Sequence, residues 1–252
     1  MAALEVPEEL AVPRLSKTFG LAALIALAGC GWMYPTAVPM HTTEYPLAEG
    51  KRAPTLIVLL PGRGDDAEAF AAHGFIHDLH AAEIAADVVA LDAHFGYYAK
   101  ETIVERVWRD VVAPARARGY KQIWLAGISM GGLGVVAVAR QHPDAFDRLI
   151  LIAPYLGPDS LLDKIRLAGS PTRWKPDDPK DPYQRLWIWL SKYQPPGPPE
   201  LTLAYGSDDK LARAHRLLAT LLGPGDVFEE PGGHDWNTWH KLWLRLFPPA
   251  KK

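Results

Sequence analysis

The sequence predicts an α/β fold, a mostly parallel sheet flanked by helices, on three observations. From residue 54 onward, apolar runs of strand length alternate with longer stretches of helical periodicity, which is the pattern of βαβ units. The chain has 252 residues, of which 48% are hydrophobic and 22% charged, enough for one sizeable core and too apolar for wholesale disorder. No internal repeat of 20–50 residues is visible, so a solenoid or propeller is excluded.

Taken in order, the amino-terminal elements come first. Residues 20–27 form an apolar run too short for the ~20 residues that a bilayer span needs. Arg14 and Lys17 precede this run, and the small residues Ala28 and Gly29 lead into Cys30, the only cysteine. That order is the order of a secretory leader, and Leu27-Ala28-Gly29-Cys30 resembles the bacterial lipobox. The resemblance implies a signal peptide over 1–29, acyl chains on Cys30, and a protein anchored to the membrane on the extracytoplasmic side of a bacterial cell envelope. Residues 30–53, with Pro35, Pro39 and Pro46, read as an extended tether. One cysteine excludes an internal disulfide framework. A net charge of −2 leaves no basic surplus for phosphates, which argues against a nucleic-acid partner.

The folded unit is expected over 54–252. Strands are expected at 56–60, 87–91, 122–126, 148–153, 201–205 and 226–229, and helices at 67–85, 102–118, 131–141, 209–222 and 237–247. Residues 154–199 break the alternation with eight prolines between Pro171 and Pro199. Trp174, Tyr183, Trp187, Ile188, Trp189 and Tyr193 supply apolar area that a disordered segment would lack, so this insertion is expected to be an ordered cap over the carboxyl ends of the strands.

The chemistry concentrates at strand ends. After the strand 122–126 comes Gly127-Ile128-Ser129-Met130-Gly131, followed by an Ala/Val-rich helix. A G-x-S-x-G segment between strand and helix is the context of a nucleophile elbow, and chance supplies only about 0.04 such matches in a chain of this composition. A serine alcohol needs a base, and the base needs an orienting carboxylate. His234 stands in the glycine loop Gly232-Gly233-His234 just past the last strand, and Asp208 and Asp209 follow the strand before it. Asp209 is the preferred acid, with Asp208 as the alternative. An oxyanion needs donors. The Met130 N–H follows the nucleophile, and the Arg63 N–H lies in the glycine loop Pro61-Gly62-Arg63-Gly64 after the first core strand.

These segments resemble the α/β-hydrolase-fold serine hydrolases from Thr55 to the carboxyl terminus. Leu59-Leu60-Pro61-Gly62-Arg63-Gly64-Asp65 is similar to the oxyanion loop of carboxylesterases and acyl-protein thioesterases, with proline in place of the usual histidine. The elbow, and the block Gly232-Gly233-His234-Asp235-Trp236 with Trp239, are similar to an esterase group of that fold. The resemblance implies hydrolysis of a small-molecule carboxylic ester or thioester through a Ser129–His234–Asp209 triad, without metal or organic cofactor. Acyl transfer by the same triad and a catalytically silent binding protein are the alternatives.

Asp92 and His94 follow the second strand and are candidates for lining the pocket, as are Trp187 and Trp189 in the cap. His73, His77 and His80 have helical spacing that could gather imidazoles on one face, but the expectation is a polar helix face and no metal site. Trp236, Trp239 and Trp243 are expected in the core.

Overall fold

The computed structural model describes residues 35–194 and 199–251. Cys30 and its lipobox-like segment lie outside the described residues. Seven strands form one sheet: β1 (Thr42–Tyr45), β2 (Thr55–Leu60), β3 (Ala86–Leu91), β4 (Gln122–Ile128), β5 (Arg148–Ile152), β6 (Glu200–Gly206) and β7 (Val227–Glu230), in the order β1-β3-β2-β4-β5-β6-β7. Every neighbouring pair is parallel except β1 with β3. Because the chain steps from β2 outward to β3 and back across to β4, the strand order reverses between β2 and β4. Ligands of open α/β sheets bind outside the carboxyl ends at such a switch point.

The helices are α1 (Ala69–Ala72), α2 (Phe75–Ala81), α3 (Phe95–Ala99), α4 (Ile103–Arg106), which runs through a π turn at Val107–Val112 into α5 (Ala113–Ala117), α6 (Met130–Gln141), α7 (Asp159–Leu167), α8 (Pro182–Leu190), α9 (Ala212–Ala219) and α10 (Trp236–Leu246). β2 and β3 are buried along their whole length. Successive side chains of a strand point to opposite faces, so Leu56, Val58 and Leu60 join the apolar cluster under α6, α8 and α9, while Ile57 and Leu59 join the one under α2 and α10.

Three expectations need correction. The folded body begins well before residue 54, inside the expected tether. β1 adds to the sheet edge with Thr42 opposite Leu91, Met40 is buried, the Ala37 N–H donates to the Tyr97 hydroxyl, and the Met40 N–H donates to Asp110 at 2.8 Å. The expected helix 67–85 is two short helices, broken where Gly74 takes a left-handed φ of 83° that a helix interior cannot hold. The break separates His73 from His77 and His80, and His73 instead stacks on Trp236 at 4.2 Å. The insertion 154–199 is ordered where described, but most of it packs on a face of the sheet: Leu161, Ile165, Leu186, Trp187 and Leu190 belong to the main core.

Candidate active site

β4 carries the chain directly into α6 through Ser129, whose φ of 53° and ψ of −112° place a non-glycine residue in the strained positive-φ half of backbone space. The strain is held by three hydrogen bonds. The Ser129 N–H donates to Ile152 O at 2.9 Å, and Ser129 O accepts from Tyr155 N–H at 2.9 Å and from Leu133 N–H at 3.3 Å. So tight a turn leaves no room two residues either side. A Cβ on Gly127 would collide with the Gly131 carbonyl, and one on Gly131 with the Leu60 carbonyl. The spacing of the glycines is thus a steric requirement of the elbow.

Sheet register brings the other groups to it. Leu60 lies opposite Gly127 across the β2–β4 pair, so the loop Pro61-Gly62-Arg63 passes beside Ser129. At the other side, the ends of β6 and β7 touch through backbone. The Ser207 N–H donates to Glu230 O at 2.8 Å, the Asp208 N–H donates to Gly232 O at 3.0 Å, and a Cβ on Gly206 would strike the Gly232 carbonyl. That contact sets His234 beside Asp209.

Ser129 Oγ lies 2.9 Å from His234 Nε2, and His234 Nδ1 lies 2.8 Å from Asp209 Oδ2. The other Asp209 oxygen accepts the Leu211 N–H at 2.7 Å. Asp208 is exposed and bonded to Ser207, so the alternative acid does not reach the imidazole. The Asp209 side chain is 0% exposed. Burial pushes its carboxyl up, but the hydrogen bonds from His234 and Leu211 outweigh burial and hold it below the ordinary carboxylate value. A buried carboxylate that stays ionised fixes the His234 tautomer with Nδ1 protonated and Nε2 free to accept a proton from Ser129.

Behind Asp209 lies His215, fully buried, with Nε2 3.0 Å from Pro154 O and Nδ1 without a hydrogen-bond partner among the described residues. Burial pushes its pKa down to about 4, so it is neutral at physiological pH. Beside His234, Trp239 packs edge-on at 5.0 Å and fixes the ring from the other side.

A cavity of about 810 Å³ opens onto Ser129 and His234, lined by Gly62, Arg63, Met130 and the aromatic side chains Phe95, Tyr155 and Trp236 among others. Met130 is the first residue of α6, where the N–H has no intrahelical acceptor and the helix dipole is positive. The exposed Arg63 lays its guanidinium over the Phe95 ring at 4.9 Å and is not paired with Asp65 or Asp66.

Four expected lining residues are not there. His94 is spent as the cap of α3, its Nδ1 accepting the Gly96 N–H at 3.1 Å, and the Asp92 N–H donates to His41 O. Trp187 is fully buried and donates to Leu156 O at 2.9 Å, and the half-buried Trp189 packs against the core. Conversely, Trp236 lines the cavity, whereas Trp239 and Trp243 are in the core as expected, Trp239 also touching the cavity. Phe95, Tyr155 and Lys210 were missed. Each follows a parallel strand by a few residues, and the strand-end rule that found Ser129 could have found them. Tyr183, brought from α8, carries no such signal. Among the described residues no group of three or more His, Cys, Asp or Glu side chains could hold a metal ion.

A model of the family described as "Putative esterase" matches residues 16–247. No curated protein matches the chain by sequence. Among solved structures, the chain is similar to an S-formylglutathione hydrolase from Staphylococcus aureus, at 18% identity and TM-score 0.58 over 82% of this chain and 91% of that one. It is similar to a monoacylglycerol lipase from Paleococcus ferrophilus, at 17% identity and TM-score 0.57 over 82% and 98%, and to a ferulic acid esterase, at 18% identity and TM-score 0.55 over 82% and 89%. Likeness at such identity speaks to the fold, and the fold is that of the α/β-hydrolases.

Proposed function

Because the chain belongs to that esterase family, we propose that it cleaves small carboxylic esters or thioesters through an acyl-enzyme on Ser129, with His234 as general base and acid and Asp209 as its orienting carboxylate. The observation that carries the reading is the unbroken line of contacts from Ser129 Oγ through His234 to a buried Asp209, at 2.9 and 2.8 Å, on a strained elbow.

In the first half-reaction, Ser129 Oγ bonds to the carbonyl carbon as His234 Nε2 takes its proton. The negative charge that forms on the carbonyl oxygen meets the Met130 and Arg63 N–H groups, and a missing donor of this kind typically costs about 10²–10³ in kcat. The C–O or C–S bond then breaks, and His234 returns the proton to the leaving alkoxide or thiolate. In the second half-reaction, water gives its proton to His234, attacks the acyl carbon and releases the acid, and Ser129 recovers its proton.

A fluorophosphonate probe tests this directly. Labelling of the wild type and of no Ser129→Ala protein, with matching loss of nitrophenyl acetate hydrolysis, is the expected result. A folded wild type that neither labels nor hydrolyses would sink the reading.

Attachment to a membrane through acylated Cys30 is proposed on the sequence pattern of 14–30 alone. A palmitate analogue fed to expressing bacteria should label the wild type and not Cys30→Ser; label that survives the substitution would refute the anchor.

A further inference from the structure

The cavity that holds Ser129 adjoins a second one of about 750 Å³, and Tyr98, Leu133 and Tyr183 line both. Leu133, Ala137, Arg140 and Gln141 line this second cavity at the spacing of one helical stripe, so it runs along α6 away from the nucleophile. Its charge is unbalanced. Arg109, Arg140, Lys180 and Arg185 stand against Glu101 and Glu105, and Glu105 is engaged by Arg106 at 3.2 Å and Arg109 at 3.0 Å.

Arg140, Lys180 and Arg185 make no side-chain hydrogen bond or ion pair among the described residues. Arg140 Nε is buried with no partner, and so is the Tyr98 hydroxyl between the two cavities. Burial, then the neighbouring Arg185 charge, lowers Arg140 from its ordinary value, so the two guanidiniums feel each other. The carboxyl end of α6 favours a cation at this position but gives Nε nothing to bond. Arg140 Nε is out of reach of the cavity, but the Nη groups are not sealed, and an anion bonded to them would relieve the like charge of Arg185 and pair donors that no protein group takes among the described residues. The planar fork of a guanidinium suits a carboxylate or a phosphate.

We propose that the second cavity is a subsite for an anion at the far end of the ester substrate, with Arg140 and Arg185 holding a terminal carboxylate or phosphate while the ester bond lies at Ser129. This rests on the ester-cleaving role of Ser129 given above. From Met130 to Arg140 the helix rises roughly 15 Å, which matches a substrate arm of roughly ten carbons crossing between Tyr98, Leu133 and Tyr183.

The test compares kcat/KM for esters with and without a terminal charge. An ω-carboxyacyl ester puts the anion on the acyl side and an acetylated ω-hydroxy acid on the alcohol side; ω-phosphoryl analogues of both separate phosphate from carboxylate, and uncharged esters of equal length are the references. The wild type should prefer at least one charged ester, and the charged-to-uncharged ratio should fall about tenfold or more in Arg140→Gln and in Arg185→Gln. A wild type without preference, or a preference that survives both substitutions, overturns the subsite.

A binding arm is independent of turnover. An α,ω-dicarboxylate of similar length, titrated by calorimetry, should bind the wild type about tenfold or more tightly than either variant. Equal binding overturns the subsite even if Ser129 labels and turns over. Charge-dependent binding without labelling or turnover upholds the subsite and removes the esterase reading instead.

Discussion

His234 meets Asp209 at 2.8 Å, and His240 of α10 meets Asp78 of α2 at 2.7 Å. Side by side, the two pairs differ in everything but the distance. Asp209 is sealed from solvent and His234 is 12% exposed, whereas His240 is 38% exposed and Asp78 also accepts from His77 at 3.3 Å. His234 gives Nδ1 to its carboxylate and keeps Nε2 for Ser129; His240 spends Nε2 on Asp78. An imidazole and a carboxylate are thus common structural glue. Chemistry needs a hydroxyl forced into place by a strained turn, and a carboxylate kept ionised by bonds that burial alone would not allow.

The largest expected effect that would break this contrast is on Ser129. Ser129→Ala should lower ester hydrolysis by about 10⁴-fold or more with the fold intact by circular dichroism. A smaller loss would mean that the elbow is not the site of acyl transfer. Next, Asp209→Asn should cost about 10³–10⁴ in kcat, because an amide cannot hold the required tautomer, while Asp208→Asn should stay within about twofold. The reverse pattern in the same assay would assign the carboxylate to Asp208.

A pH effect sharpens the comparison from behind the site. His215 titrates near 4 when folded against an ordinary 6.5, so below about pH 6.5 the unfolded chain binds a proton that the folded one refuses. Stability should therefore fall as pH drops from 6.5 towards 4, with no further loss from this group below 4. Melting curves across that range should be flatter for His215→Phe than for the wild type; equal slopes would show that His215 is not the neutral buried group described. The smallest effect belongs to the second pair. His240→Gln should cost about 1 kcal/mol of stability and leave ester hydrolysis within about twofold. Chemical denaturation checks the first figure, and a tenfold activity loss would contradict the structural role of the pair.

What was legible in the sequence follows from what is local. The strands β2 to β7 lie within two residues of their expected positions, the inner five because strands buried on both faces read as largely apolar runs and the half-buried edge strand β7 because Val227-Phe228 stands between turn residues and Glu229-Glu230. Ser129, Asp209 and His234 could be found because each follows a strand end by a fixed short step. β1 was hidden because Thr-Thr-Glu-Tyr is short, polar and proline-flanked, and it becomes a strand only by pairing with β3. The Trp187 and Trp189 expectation failed because the identity of a residue in a cap does not say which way its helix turns. α8 directs Leu186, Trp187 and Leu190 into the core and leaves Tyr183 for the cavity. Arg140, in the last turn of α6, carries no local signal, and its lack of a partner among the described residues shows only once α8 brings Arg185 beside it.

The edge strand has one more consequence. β1 runs antiparallel, so its first residue, Thr42, lies beside Leu91 at the carboxyl end of β3, the end of the sheet where Ser129 sits. With Ala37 fastened to Tyr97, Cys30 is seven residues away along the chain, which in any conformation spans at most about 25 Å. The anchor proposed at Cys30 would therefore hold the end of the sheet that carries Ser129 close to the bilayer surface, within reach of ester groups presented there.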